Sequence, residues 1–548
     1  MSLPRRTMGS IPEETERVAR AAFPKGNKYM QMRDELGSMY TDEMFADLYP
    51  KDGQPAARPW RLALVTVMQF AENLTDRQTA EAVRDRIAWK YALGLELTDA
   101  GFDFSVLSEF RQRLLDHQAE QRLMDEMLEQ FRSKGLLKVR GKQRTDSTHI
   151  VAAIHQLNQL ELIHETLRHA LNELAREAPD WLKGWVSRDW FDRYSERANS
   201  SLLSKDEQKR RRWAEQVGVD GVRVLEQVYG AHAYPQLAKL QAIEVLRQVW
   251  IQNFYQQASE VHLREPANQP PSARQIASPY DTDAHYSSKR TTSWVGYKVH
   301  LTETCDSDAP NLITQVETRV STEPDHVPLE KIQRDLAHKN RLPAEQYVDQ
   351  GYTSVDHLMN ARNLYDIDVI GLIPDDNSWQ ARLGGYDSTQ FAIDWDQQRA
   401  TCPQGKHSCS WTLALTKSQH PVIKVKFRKT ECTACPARAL CTHNTKENRR
   451  TLTILAPQAY YEAQQTARQR QQTTEFKAQY AVRAGVEGTI SQATFALHAR
   501  RTRYRGIIKV HLQHIAISAA INLLRTLAWL NEVPRSTTSV SQFARLAA

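Results

Sequence analysis

No run of about 18 consecutive apolar residues occurs in the chain, and a bilayer-spanning helix needs about that length. The first residues carry Arg5, Arg6, Glu13 and Glu14 where a signal peptide would place an apolar core, so a cytoplasmic protein is expected. Cysteine is scarce. Five of the six fall between Cys402 and Cys441, and Cys305 stands apart; such clustering argues against a disulfide framework and for a bound metal. Glycine and proline number 21 and 22, too few for a collagenous repeat, and 41% hydrophobic with 25% charged residues excludes a disordered chain. What remains is a globular protein whose 548 residues exceed one core, so about two to four domains are expected.

The formal net charge of +7 suits a polyanionic partner. Its densest concentration in the C-terminal part is RRTRYRGIIK, with Arg500, Arg501, Arg503, Arg505 and Lys509 around Tyr504 and Gly506. A solvated helix face would explain such a run as well as DNA binding would.

Residues 1–137 read as helical. Leu62, Val65, Ala71 and Leu74 form one face. A second helix is expected to open at Thr75, which has capping-box spacing to Gln78, and to continue through Val83, Ile87 and Tyr91. Two such helices can form a helix-turn-helix. Ser105 is expected to cap a long helix carrying Phe110, Leu114 and Leu123. The segment KVRGKQRTDSTHI from Lys138 then reads as a strand with Asp146 at its end. Leucine spacing from Leu157 to Leu174 and from Leu237 to Trp250 marks an inserted helical block over 156–265, closed by a linker with Pro266, Pro270, Pro271 and Pro279.

The next strand is expected at Val295, where Val295, Tyr297, Val299 and Leu301 alternate with Gly296, Lys298 and His300. A second strand over Leu312 to Val320 completes a hairpin. Helices over Val327–His338 and Ser354–Leu364 and strands ending at Asp349 and Ile373 complete an α/β core with mixed strand directions over 280–375.

Aspartates at strand ends are ordinarily turn or cap residues. A third acidic residue alters that reading. Tyr480, Arg483 and Glu487 are spaced to share one helical face. Tyr-Arg-Glu at this spacing, followed by Gly488, Thr489 and the basic run, resembles the C-terminal signature of DDE transposases from bacterial insertion sequences. RTDST around Asp146, WVGYKVHLT from Trp294 and VDQGY around Asp349 resemble the family's other blocks in order. The N-terminal helices and the cysteine-rich segment resemble the branch called IS-eleven-eighty-two-like. The likeness runs from about residue 30 to 530. One departure is Thr494, where the family carries a lysine; its phosphate contact is then either supplied by His498 or Arg500 or missing.

The resemblance implies an RNase H-like fold in which the first and fourth strands are neighbours, with Asp146, Asp349 and Glu487 as catalytic residues holding two magnesium ions, which manganese can replace. It implies DNA strand cleavage and strand transfer on double-stranded DNA, with a homodimer bringing two ends together. Tyr480 and Arg483 would contact DNA, Arg483 at a phosphate beside the scissile bond, unless it merely pairs with Glu487. Lys289, Arg290 and Lys298 would follow the DNA backbone with the basic run. Over 376–455, Cys432, Cys435 and Cys441 in a C-x2-C-x5-C pattern, with Cys402 upstream, suit structural zinc; Cys409 and His443 compete as fourth ligand. C-terminal helices over 456–530 would carry Glu487, and 531–548 reads as a disordered tail. Three alternatives are a nuclease without strand transfer, a catalytically silent DNA-binding repressor, and a zinc-stabilised scaffold. The scaffold would leave the Tyr-Arg-Glu segment unexplained.

Overall fold

The computed structural model describes residues 2–3, 10–154, 157–197, 206–231, 233–258, 260–444 and 446–535. The expected tail lies outside them from residue 536 on, as do Met1, Arg5 and Arg6.

A six-stranded mixed sheet organises the molecule. Its strands are β1 (Lys142–Val151), β2 (His285–Lys289), β3 (Thr292–Thr304), β4 (Ile313–Val320), β5 (Glu345–Val348) and β6 (Asp368–Ile370). β1 is central. It runs antiparallel to β3 from Gln143↔Thr304 to Val151↔Gly296 and parallel to β5 from Lys142↔Glu345 to Thr145↔Val348. β6 extends the parallel side, while β2 and β4 pair with successive halves of β3. From Trp294 to Thr304, β3 is buried almost throughout, because helices cover both faces, as mixed and parallel sheets require. Gly296 permits the closest crossing: a Cβ there would stand 2.1 Å from the Ile150 carbonyl oxygen.

Asp146 therefore lies in the middle of β1 and not at its end as the sequence suggested. The strand continues because β3 keeps pairing with it after β5 has stopped. The expected strand at Val295 is preceded by β2 and by a small hairpin, Phe254–Gln257 with Glu260–Leu263, so the inserted block is not wholly helical. Its core nevertheless joins the two leucine stripes, Leu160, Leu167 and Leu174 against Leu246 and Trp250. A further helix, Glu207–Tyr229, completes that core.

In the N-terminal part Thr75 caps Asp76–Asp85 in a capping box with Gln78. The stripe through Ile87 and Tyr91 belongs to a separate helix, Ile87–Leu93, since Arg86 leaves helical geometry. The helix from Ser105 ends at Asp116; Gln118 at φ 53° turns the chain, and Leu123 falls on the next helix, Arg122–Ser133. Ser105 is the first residue of that helix and not its cap; its N–H donates to Asp103 at 2.9 Å.

Two helices lock the halves together. α1 (Pro59–Ala71) and α2 (Ile507–Leu530) pack on each other, and α2 also covers β4. α2 is long and apolar enough to cross a membrane by length and composition, a feature absent from the expectation above, yet 72% of its apolar window is buried inside the protein. Asn522 within it exchanges two hydrogen bonds with the Ile313 backbone, at 2.7 and 2.8 Å.

Candidate functional site

The parallel ladder places two aspartates side by side. Its last pair is Thr145↔Val348, and the next residue on each strand is Asp146 and Asp349. Both are half-buried. Asp146 accepts from the Ser147 N–H at 2.7 Å, and Asp349 caps a short 3-10 turn by accepting from the Gln350 N–H at 2.8 Å. Burial raises the Asp146 carboxyl above the ordinary aspartate range and the neighbouring Asp349 raises it further, while the Ser147 N–H and Arg483 oppose the shift. Two carboxylates that share a site behave in this way.

Arg483 supplies the counter-charge. Its Nη1 donates to Asp146 Oδ2 at 2.9 Å and its Nη2 to Glu487 Oε1 at 3.4 Å, so one guanidinium bridges the first and third acidic residues. Burial works against its charge, but Asp146, Tyr480 and Asp349 together raise its pKa. The Tyr-Arg-Glu segment is not the single helix the spacing suggested. Tyr480 ends the helix Thr474–Tyr480, Arg483 lies in a 3-10 turn, Ala481–Gly485, and Glu487 follows on Val486–Ser491. The chain stays helical throughout, which keeps Arg483 beside Glu487. Tyr480 stacks on Phe476 with ring centroids 5.8 Å apart.

Beneath the aspartates lies a polar layer that sequence reasoning missed. Tyr352 is fully buried, its hydroxyl 2.6 Å from His300 Nδ1. Burial lowers His300 to about 3. Lys298 donates to Asp325 at 3.0 Å and to the Glu323 carbonyl at 2.7 Å. These contacts hold Lys298 within the protein. A signal was present: Lys298 and His300 are polar residues inside a strand buried on both faces.

Much of the basic run is likewise engaged internally. Arg500 donates to Thr148 Oγ1 at 2.9 Å and to the His149 carbonyl at 2.5 Å. Arg503 donates to the Leu74 carbonyl at 2.6 Å and to Asn73, and its guanidinium lies over Phe70. Arg505 lies over Tyr280 but is itself exposed. Arg501, Lys509, Lys289 and Arg290 are exposed, with Lys289 3.6 Å from Asp325. Thr494, at the position where the family has lysine, is buried and donates to the Ile490 carbonyl at 2.8 Å. That position faces the core here.

The second cluster of interest is built of cysteines. Cys402, Cys432, Cys435 and Cys441 line one cavity of about 30 Å³, beside a small core that includes Phe391, Val425, Phe427 and Leu452. Cys402 sits on a tight turn through Gly405 at φ 73°, where the Lys406 N–H lies 3.4 Å from its Sγ. Burial raises the Cys432 thiol and pushes Cys441 up to about 11. Cys409 is exposed and does not line the cavity. His443 stacks on Trp379, ring centroids 3.8 Å apart. Among the described residues, no three His, Cys, Asp or Glu side chains are drawn together closely enough to form a metal-ion group, at the carboxylates or at the cysteines.

A mixed α/β protein with acidic residues gathered at its central strands is the kind of architecture in which carboxylate-dependent nucleic-acid enzymes are built, and it is consistent with a DDE transposase. Comparison with protein families supports that class directly: the Transposase DDE domain matches residues 401–527 and the Transposase domain (DUF772) matches residues 17–113. Together the two matches indicate a DDE-type insertion-sequence transposase. The first spans the cysteines, Arg483 and Glu487; Asp146 and Asp349 lie between the two matches. No curated protein and no solved structure matches the chain.

Burial separates structural from chemical roles at the site. The side chains of Arg483 and Asp146 are 16% and 17% exposed, that of Glu487 69%. Arg483→Met is expected to lower the unfolding free energy by about 1–3 kcal/mol, because it leaves a largely buried carboxylate without its partner. Glu487→Gln is expected to change it by less than about 0.5 kcal/mol. Denaturant unfolding of both variants beside the wild type is the check.

Proposed function

We propose that this transposase cuts DNA strands at the ends of an insertion sequence and joins the freed 3′-hydroxyls to a target, with Asp146, Asp349 and Glu487 as its catalytic carboxylates. The observation that carries the reading is the adjacency of Asp146 and Asp349 beyond the last parallel pair, with Arg483 linking Asp146 to Glu487. The parallel β1–β5 pair flanked by the antiparallel β3 and β4 supports an RNase H-like core. The DUF772 match over 17–113 supports an N-terminal domain that recognises the element's ends. The cysteine-rich segment with the N-terminal helices supports the IS-eleven-eighty-two-like branch.

The donor set fits a hard divalent cation, since all three groups offer oxygen and none offers nitrogen or sulfur. Two magnesium ions held by these carboxylates would activate the attacking water or hydroxyl and stabilise the leaving 3′-oxygen. The side chains do the rest. Asp146 is held for this role by the Ser147 N–H and by Arg483. Arg483 exchanges its carboxylate partners for a phosphate oxygen beside the scissile bond once DNA is bound. Exposed Arg501, Lys509, Lys289 and Arg290 neutralise backbone phosphates, so binding weakens steeply as salt rises. Joining two ends in one reaction calls for two copies of the chain. Cys402, Cys432, Cys435 and Cys441 hold a structural zinc ion, a role for which thiolates alone, with no open position, are suited.

The catalytic reading is tested on a plasmid carrying the gene and its flanks with magnesium, mapping strand breaks against Asp349→Asn. Paired breaks at the element's ends that vanish in the variant are expected. End binding without cleavage, in magnesium or manganese, would replace the reading with a DNA-binding repressor. The zinc reading has its own measurement. Purified protein should contain about one zinc per chain, lost in Cys435→Ser and retained in Cys409→Ser; equal content in the two variants would refute this ligand set.

A further inference from the structure

Glu487 has little to hold it in place. Its side chain is 69% exposed and its one ion pair among the described residues is the 3.4 Å contact with Arg483. The backbone around it, by contrast, is tied down through a buried ionic group whose central residue lies outside the quoted motifs.

Glu303 on β3 is the centre of that group. Its side chain is completely buried. Oε1 accepts from Arg144 Nε at 2.7 Å, an opposite-charge pair directly across the β1–β3 ladder. Oε2 accepts from Arg525 Nη1 at 2.6 Å and from Thr489 Oγ1 at 2.5 Å. Arg525 in turn donates to Thr489 Oγ1 at 2.7 Å, to Gln492 at 2.9 Å and to the Asn311 carbonyl at 2.9 Å. Arg144 donates to the Val482 carbonyl at 2.7 Å and passes directly under Gly485, where a Cβ would meet its Nη1 at 2.0 Å.

These attachments have a pattern. Val482 immediately precedes Arg483, Gly485 and Thr489 flank Glu487 at two residues on either side, and Arg144 lies two residues before Asp146 on the same face of β1. We propose that Glu303, with Arg144 and Arg525, is the positioning device that registers the Arg483–Glu487 segment on the strand carrying Asp146. It acts through Thr489 and the Val482 carbonyl without touching DNA. The proposal rests on the catalytic assignment of Asp146 and Glu487.

Hydrophobic packing could attach the segment to the sheet, since Val486 is also buried, but apolar contacts do not specify direction. A buried carboxylate with three donors does, and leaving any of them unpaired is costly. The device therefore sets where Glu487 points, and its loss should show first as weaker cation binding.

The test uses full-length Thr489→Val, which keeps the side-chain shape and removes the hydroxyl, with Thr489→Ser as the conservative rescue. Three readouts are taken: affinity for end DNA, the magnesium concentration for half-maximal strand cleavage, and amide exchange over 481–491 against 297–303. Thr489→Val should bind DNA within about twofold of wild type and need about tenfold or more magnesium, recovering its rate at saturation. Exchange over 481–491 should accelerate about fivefold or more with 297–303 unaltered, and Thr489→Ser should behave as wild type. An unaltered magnesium requirement with unaltered exchange in Thr489→Val overturns the proposal. So does a loss of rate at every magnesium concentration with faster exchange in both segments, which would mark a merely structural role. Failure of the catalytic assignment reads differently: Glu487→Gln would cleave as well as wild type.

Discussion

Two acidic side chains stand next to each other beyond the last pair of the parallel ladder, and the proposed site is built on that placement. Asp146 and Asp349 come from strands that run the same way and stop pairing at the same point. At about 4 Å two unit charges repel by about 4 kcal/mol at an effective dielectric of 20. Arg483 offsets such repulsion by bridging Asp146 to Glu487, while burial and, to a lesser degree, Asp349 raise the Asp146 carboxyl. The guanidinium places positive charge among carboxylates whose proposed working partners are also cations. That gives Arg483 a reason to pair inward here although it resembles a phosphate-binding residue.

The same logic extends outward. β1 must be central, so it needs β3 on its other side, and β3 must be buried on both faces. Its polar residues then need internal partners: His300 has Tyr352, Lys298 has Asp325, and Glu303 has Arg144 and Arg525. The basic run is drawn into this order. Arg503 reaches the Leu74 carbonyl and Asn73, tying the segment after Glu487 to the N-terminal helices. Arg500 is fixed along β1. A stretch that reads as a phosphate-binding patch thus also ties the C-terminal segment to β1 and to the N-terminal helices, and Arg501, Arg505 and Lys509 are its exposed part.

The sequence made most strands of the sheet, though not β2, and the candidate acidic residues legible because each is a local signal: period-2 alternation for β3, a capping box at Thr75, fixed spacing from Tyr480 to Glu487. What it concealed depends on partners distant in the chain. Whether Asp146 ends β1 is decided by β3, which continues, and β5, which does not. The helix from Ser105 stops because Gln118 takes a left-handed conformation, which no periodicity announces. Thr494 is a departure from a motif in the sequence and a buried residue in the fold. Glu303 falls in phase with Val299 and Leu301, so a charge on a buried face was visible. Its meaning needed Arg144, Thr489 and Arg525, which only folding brings together.

The most direct measurement is anomalous diffraction from manganese in crystals of the full chain bound to the ends of its own element. Two peaks among Asp146, Asp349 and Glu487, with Arg483 turned from Asp146 to a phosphate oxygen, are the expected result. Manganese bound elsewhere, with the Arg483–Asp146 pair intact beside bound DNA, would contradict the assignment of these carboxylates as the reaction centre.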